Sequence, residues 1–203
     1  GQVKISKRVG IDNFKLNQTK SFLREYFDVM DLPNDEDGLI VYIITNFKEK
    51  QSELKEYYDR NKTRHYPGYS KIKEGLDLVN KVLQSQNDNV ALIDSIVDLQ
   101  DDLLDNKDDM QKVEEFYKTQ INLFESADKV LAQTQREMDY YEGNEKVEKA
   151  AKLIKDIVHY SDNYDYSRIP QLNEAIATIK DAKSVLLSSK KTELYQLIDQ
   201  CFE

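Results

Sequence analysis

Cysteine occurs once in the 203 residues, tryptophan not at all, histidine twice, proline three times and glycine six times. Each scarcity removes a class of explanation. A single thiol, Cys201, excludes an internal disulfide, and one Cys with two distant His makes no zinc set. Few Gly and Pro leave long stretches without a helix breaker. Long hydrophobic runs are missing as well. The longest, Leu39 to Ile44, has six residues, against the ~18 that a membrane-spanning helix needs. No signal-peptide pattern opens the chain. These features read as a cytoplasmic chain with no structural metal and no membrane partner, and Gly in place of Met at position 1 reads as a piece cut from something longer.

What is present points to an ordered, water-exposed fold. Asp and Glu number 38 against 29 Lys and Arg, a formal charge of -9, and charged side chains make up 33% of the chain. The apolar share of 39% is modest, but 13 Tyr and seven Phe are more than a disordered chain carries. A chain of this size buries roughly 70% of its unfolded surface, enough for one or two domains with a real core.

Apolar residues recur every three or four positions through most of the sequence, which predicts an all-α fold. Positions 2–12, with Val3, Ile5, Val9 and Ile11, read as a small extended segment or a frayed end. A first helix is expected over 17–30, with Phe22, Leu23, Tyr26, Phe27 and Met30 inward, ended by Pro33. A second runs from about 34 to 61. Asp35, Glu36 and Asp37 favour its N-terminus, and the acidic run around them fails the EF-hand spacing because Ile44 falls where a carboxylate is required. Pro67-Gly68 marks the clearest loop. A third helix follows, capped by Ser70, and then a fourth through Leu92, Ile96, Leu99 and Leu103, with Asp105-Asn106 as a kink or turn.

Positions 110, 113, 117, 120, 124, 127, 131, 134, 138 and 141 then keep a strict 3, 4 spacing. They form the seam of an antiparallel hairpin or coiled coil. Gln120 and Thr134 interrupt the seam and read as register devices. Gly143 suits a left-handed helix stop. A helix over 145–160 carries Val147, Ala150, Ala151, Ile154 and Val158. The last helix, capped by Ser167 with Pro170 in its first turn, runs to the end through Leu172, Ile176, Ile179, Leu186, Leu187, Leu194, Ile198 and Cys201. Its stripe slips near 183–190, where a bend or a change of partner is expected. Short connections make neighbours antiparallel. The expected organisation is an elongated bundle of long helical hairpins, with a helical subdomain over 1–86 and a long-helix bundle over 87–203.

No catalytic constellation accompanies this scaffold. Gly68 to Gly75 has no Gly-x-x-x-x-Gly-Lys-Ser/Thr pattern, so nucleotide hydrolysis is not expected of these residues. His65 and His159 read as a loop contact and a helix-end partner, and Cys201 reads as a small buried hydrophobe. The carboxylates from Asp98 to Glu115 fall on every face of a helix and read as a solvated surface or one offered to a basic partner. The one charge asymmetry that suggests a contact site is the basic, aromatic stretch Lys62, Arg64, His65, Tyr66, Tyr69, Lys71 and Lys73. Cations mixed with aromatics suit single-stranded nucleic acid, although the overall negative charge opposes it.

Several short runs carry a family likeness: Arg24-Glu-Tyr-Phe-Asp-Val-Met-Asp-Leu-Pro-Asn-Asp-Glu-Asp-Gly-Leu-Ile40, Tyr66-Pro67-Gly68, Asp88-Asn-Val-Ala-Leu-Ile93, Asp101-Asp-Leu-Leu-Asp105 and Tyr166-Ser-Arg-Ile-Pro-Gln-Leu172. Together they resemble the helical region of the large P-loop ATPase of BREX phage-resistance systems, the BrxC family. The resemblance implies a fragment of a much larger bacterial ATPase that acts with other components to restrict phage DNA. ATP and Mg are implied for that parent only, with no cofactor in these residues. The expectation is a non-catalytic scaffold and protein-interaction segment whose partners are the remainder of the parent ATPase and other phage-defence components. The second reading is a nucleic-acid contact module centred on residues 62–73.

Overall fold

The computed structural model describes residues 10–159 and 165–202. The predicted extended segment at 2–12 falls mostly outside the described residues. Six α-helices and two 3-10 turns make up the elements, with no strand among the described residues. The protein is all-α.

Helix α1, Asn13–Tyr26, begins where the Asp12 carboxylate accepts from the Phe14 amide at 2.9 Å. The sequence pattern placed this helix four residues later, through Met30. Instead the chain leaves the helix at Phe27, Asp28 takes a positive φ of 52°, and Met30 is 87% exposed. Helix α2, Glu36–Asn61, is capped by Asp35, whose carboxylate accepts from the Gly38 amide. The acidic run therefore works as a cap and first-turn charge. Helix α3, Tyr69–Leu83, starts after Gly68 with no side-chain cap, so the expected Ser70 cap is not used.

The largest departure from the pattern is α4, Asn89–Arg136, one uninterrupted helix of 48 residues. No turn forms at Asp105-Asn106. Asn106 is buried, and its Nδ2 donates to the Lys71 carbonyl at 2.9 Å. Its amide is satisfied by α3 and does not compete for the local backbone, which is how an Asn ordinarily breaks a helix. A 3-10 turn, Met138–Tyr141, and Gly143 at φ 78° then end the run. Helix α5, Glu145–Val158, is capped by Asn144, and α6, Ile169–Cys201, follows a 3-10 turn at Tyr166–Arg168. Asp165, not Ser167, caps that turn: its Oδ1 accepts from both the Ser167 amide and hydroxyl.

Two compact units result. One takes the described residues up to Lys62 together with Pro67–Glu114, and the other takes Thr63–Tyr66 with the described residues from Glu115 onward. The division falls inside α4, not at the expected 86/87. The Asn89–Glu114 part of α4 supplies the third wall of the first core.

In the first unit α2 and α3 lie antiparallel, since Tyr58 stacks on Tyr69 while Gln51 donates to Asn80. α1 runs parallel to α4, tied by Lys15 to Asp94 at 2.7 Å and by Lys107 to the Glu25 carbonyl. Leu23, Leu39, Ile43, Phe47, Ile72, Val79, Leu92, Ile93 and Ile96 are fully buried between them. The second unit buries Phe124, Ala127 and Leu131 of α4 with Val147, Ile154, Leu172 and Ile176 of α5 and α6. The heptad seam is real over this part. Thr134 is buried in it but donates to the Val130 carbonyl of its own helix, so its hydroxyl does not reach a partner helix.

The last sixteen described residues depart from the expected burial. Lys183 still reaches Glu137 at 3.5 Å, and Lys190 lies 3.8 Å from the Tyr140 ring centroid. From Leu187 onward every described residue of α6 is exposed, Leu194, Ile198 and Cys201 among them. The stripe is present in the sequence, but no described element lies against it, and Cys201 is an exposed free thiol.

Candidate functional site

The seven residues of the basic, aromatic stretch divide between the two units. Arg64, His65 and Tyr66 belong to the second, and Lys62, Tyr69, Lys71 and Lys73 to the first. Each group is shaped by a different local cause.

In the second unit, Tyr66 is 6% exposed, its ring 5.5 Å from that of Tyr117 and 5.2 Å from that of Tyr166. Tyr166 in turn packs edge-on against Phe124. The short segment is pinned at its backbone, where the Tyr166 amide donates to the Arg64 carbonyl at 3.0 Å. His65 adopts a left-handed φ of 50°, and its Nδ1 sits 3.1 Å from Asp165 Oδ1. Burial pushes the Asp165 carboxyl up, but the Ser167 hydroxyl and amide, with His65 beside them, outweigh it and hold the group below the usual carboxylate range. Asp165, Tyr117 and Tyr166 are the residues that sequence reasoning missed. Tyr117 was assigned to the seam, and nothing in the sequence joins position 65 to position 165.

In the first unit, Lys62 ends α2 and is exposed. Tyr69 stacks on Tyr58 at 4.5 Å, and a hydrogen bond with the Tyr58 hydroxyl, aided by burial, pushes its own hydroxyl up to about 12. Lys71 bridges Glu74 at 3.1 Å and Asp109 at 3.2 Å, and the two hydrogen bonds hold its ammonium above the usual range. Lys73 is exposed beside Glu74, Asp77 and Asp102. Base stacking needs a free aromatic face, and phosphate binding needs cations that are not already neutralised. Tyr66 is enclosed by other rings and Lys71 is paired twice, so this geometry does not favour nucleic-acid contact.

No three His, Cys, Asp or Glu side chains converge as a metal site among the described residues. No helix among them is long and apolar enough to cross a membrane. Against known families, residues 15–139 match the one described as the BREX ATP-binding protein BrxC alpha helical domain. The chain belongs to this family. The matched span is more than half of the sequence, and it contains α1 from its third residue, all of α2, α3 and α4, and the first half of the first 3-10 turn. All seven basic and aromatic residues lie inside it. The BrxC domain matched is the helical one, not the ATP-binding one. Through BREX the assignment carries phage resistance as its setting. No solved structure matches the chain.

Proposed function

We propose that this chain is a non-catalytic scaffold and protein-docking segment of a BREX ATP-binding protein. Its partners are the remainder of that ATPase and other phage-defence components in the cytoplasm. The observation that carries the reading is the match of 15–139 to the BrxC helical domain. The way α1 to α4 spend their apolar faces supports it. Fully buried Leu, Ile and Phe side chains fill the spaces between helices, which builds a rigid body whose outer faces are free for contact. ATP and Mg belong to the parent's nucleotide site, and no residue of this chain is assigned to them.

The test uses the full-length parent with and without residues 15–139. The expected result is loss of co-purifying BREX components and of phage restriction in the deleted form, with nucleotide binding retained. Unchanged assembly and restriction after deletion would overturn the docking role. A salt-dependent DNA shift that vanishes in a Lys62→Ala/Arg64→Ala/Lys71→Ala variant would instead restore the nucleic-acid reading.

A further inference from the structure

A cavity of about 390 Å³ opens in the first unit between the end of α1, the middle of α2 and α4. Its floor is apolar and aromatic, made by Tyr26, Leu54 and Met110. Tyr26 is only 4% exposed, packed between Phe22, Phe27 and Phe47. Its hydroxyl has no hydrogen-bond partner among the described residues. No side-chain oxygen or nitrogen sealed from solvent lacks a partner, so this hydroxyl opens onto the cavity it lines. A phenol buried on all sides but one, with an unused oxygen at the open side, is a group that a ligand can complete.

The rim is unbalanced in charge. Asp28, Glu49, Glu53 and Glu114 face Lys50 and Lys107 around the opening. Both lysines are already engaged. Lys107 donates to the Glu25 carbonyl at 2.6 Å and to Asp28 at 3.0 Å, and Lys50 lies 5.6 Å from the Tyr26 ring centroid. Glu49, Glu53 and Glu114 make no ion pair or hydrogen bond among the described residues. Glu49 and Glu53 are one turn apart on α2, so two uncompensated carboxylates share a face, an arrangement that repels itself. A cation placed among them relieves that repulsion, and the position of Lys50 shows that the aromatic floor already attracts one.

We propose that this cavity receives an arginine side chain from a partner protein. The chemistry selects the residue type. An arginine's three methylenes fit the apolar floor. Its planar guanidinium carries five donors in a fixed fork, so it can serve the Tyr26 oxygen while bonding a rim carboxylate through two parallel hydrogen bonds, a geometry that an ammonium cannot match. An acidic side chain or a phosphate is repelled by the same rim. The inference deepens the docking reading and rests on it only for the source of the arginine, because capture itself is measurable on the chain alone.

The experiment is a titration of the isotope-labelled 203-residue chain with N-acetyl-arginine methylamide, followed by backbone amide shifts. Saturable shifts confined to Tyr26, Leu54, Met110 and their neighbours are expected, with none for capped norleucine. In Glu53→Gln/Glu114→Gln, whose changes sit on exposed positions, binding weakens about tenfold, as expected when charge-assisted hydrogen bonds are lost. Tyr26→Phe weakens binding while leaving the melting temperature unchanged or higher, since it removes only an unpaired hydroxyl. Shifts that do not saturate, that spread along the acidic surface of α4, or that titrate with undiminished affinity in the Gln variant overturn the proposal. Equal binding of capped lysine overturns the choice of guanidinium. Failure here with loss of assembly in the deleted parent would leave docking intact and this pocket unused.

Discussion

Asn106 occupies the space that a side chain on Gly75 would need: an ideal Cβ at Gly75 lies 2.5 Å from Asn106 Oδ1. The glycine sits in the interior of α3, where it ordinarily costs about 1 kcal/mol relative to alanine. Here it admits the amide of α4, which donates back to Lys71 on the same helix. The prediction is that Gly75→Ala destabilises the chain although alanine is the better helix former. Displacing a buried amide from its acceptor costs about 1–3 kcal/mol, more than the propensity gained. The check is a double-mutant cycle by urea unfolding. Gly75→Ala should be harmful in the native background and neutral or favourable once Asn106→Ala has made room. Equal effects in both backgrounds would refute the coupling.

A second prediction concerns Tyr66. A loop tyrosine available to a partner can be truncated at little cost, whereas one enclosed by other rings cannot. At 6% exposure, among Tyr117 and Tyr166, Tyr66→Ala should cost about 3 kcal/mol or more, as large-to-small aromatic changes in cores do. Lys62→Ala and Lys73→Ala, on exposed positions, should stay within about 0.5 kcal/mol. Chemical denaturation of the three variants decides it, and a mild Tyr66→Ala would mean that the ring cluster carries little.

These two cases show what the one-dimensional pattern contained. The existence of α2 and α5, the cap role of the acidic run at Asp35 and the left-handed stop at Gly143 are local effects, each written within a few neighbouring residues. Pairing is not local. Asn106 resembles a breaker until the Lys71 carbonyl, 35 positions away, is brought to it. Tyr66 resembles an exposed loop residue until Tyr166, a hundred positions on, closes over it. The Tyr26 cavity went unseen for the same reason, since its wall residues come from three helices and the turn after α1 and include no recognisable motif. Periodicity reports that a helix has an apolar face, but not whether anything lies against it. That is why the second half of α6 was expected to be buried.

A third prediction follows from Asp165. Its carboxyl is held below the ordinary value of 3.8, because the Ser167 bonds and His65 outweigh the opposing effect of burial. A group depressed in the native state contributes stability that is fully present above its ordinary pKa and is lost as pH falls through its native one. Urea midpoints taken at neutral pH and again below 3.8 should therefore drop more steeply in the native chain than in Asp165→Asn. The asparagine keeps an oxygen for the Ser167 amide but carries no charge to titrate. Parallel acid limbs in the two proteins would show that the Ser167 and His65 contacts do not stabilise the ionised form.

The fourth prediction separates the two halves of α6. Ile176 is 7% exposed and packs into the second core, whereas Leu194 and Ile198, on the same continuous helix, are 56% and 41% exposed. A buried isoleucine cut to alanine loses its transfer free energy and leaves a cavity, so Ile176→Ala should cost about 2–4 kcal/mol. Leu194→Ser and Ile198→Ser remove side chains that already face water, and each should fall within about 0.5 kcal/mol of the native value. Amide exchange adds an independent reading. Protection along α6 should be strong around Ile176 and Ile179 and fall away past Leu187, because a helix with no packed face opens locally at little cost. Strong protection around Leu194 together with a large cost for Ile198→Ser would show instead that this stretch is covered in solution.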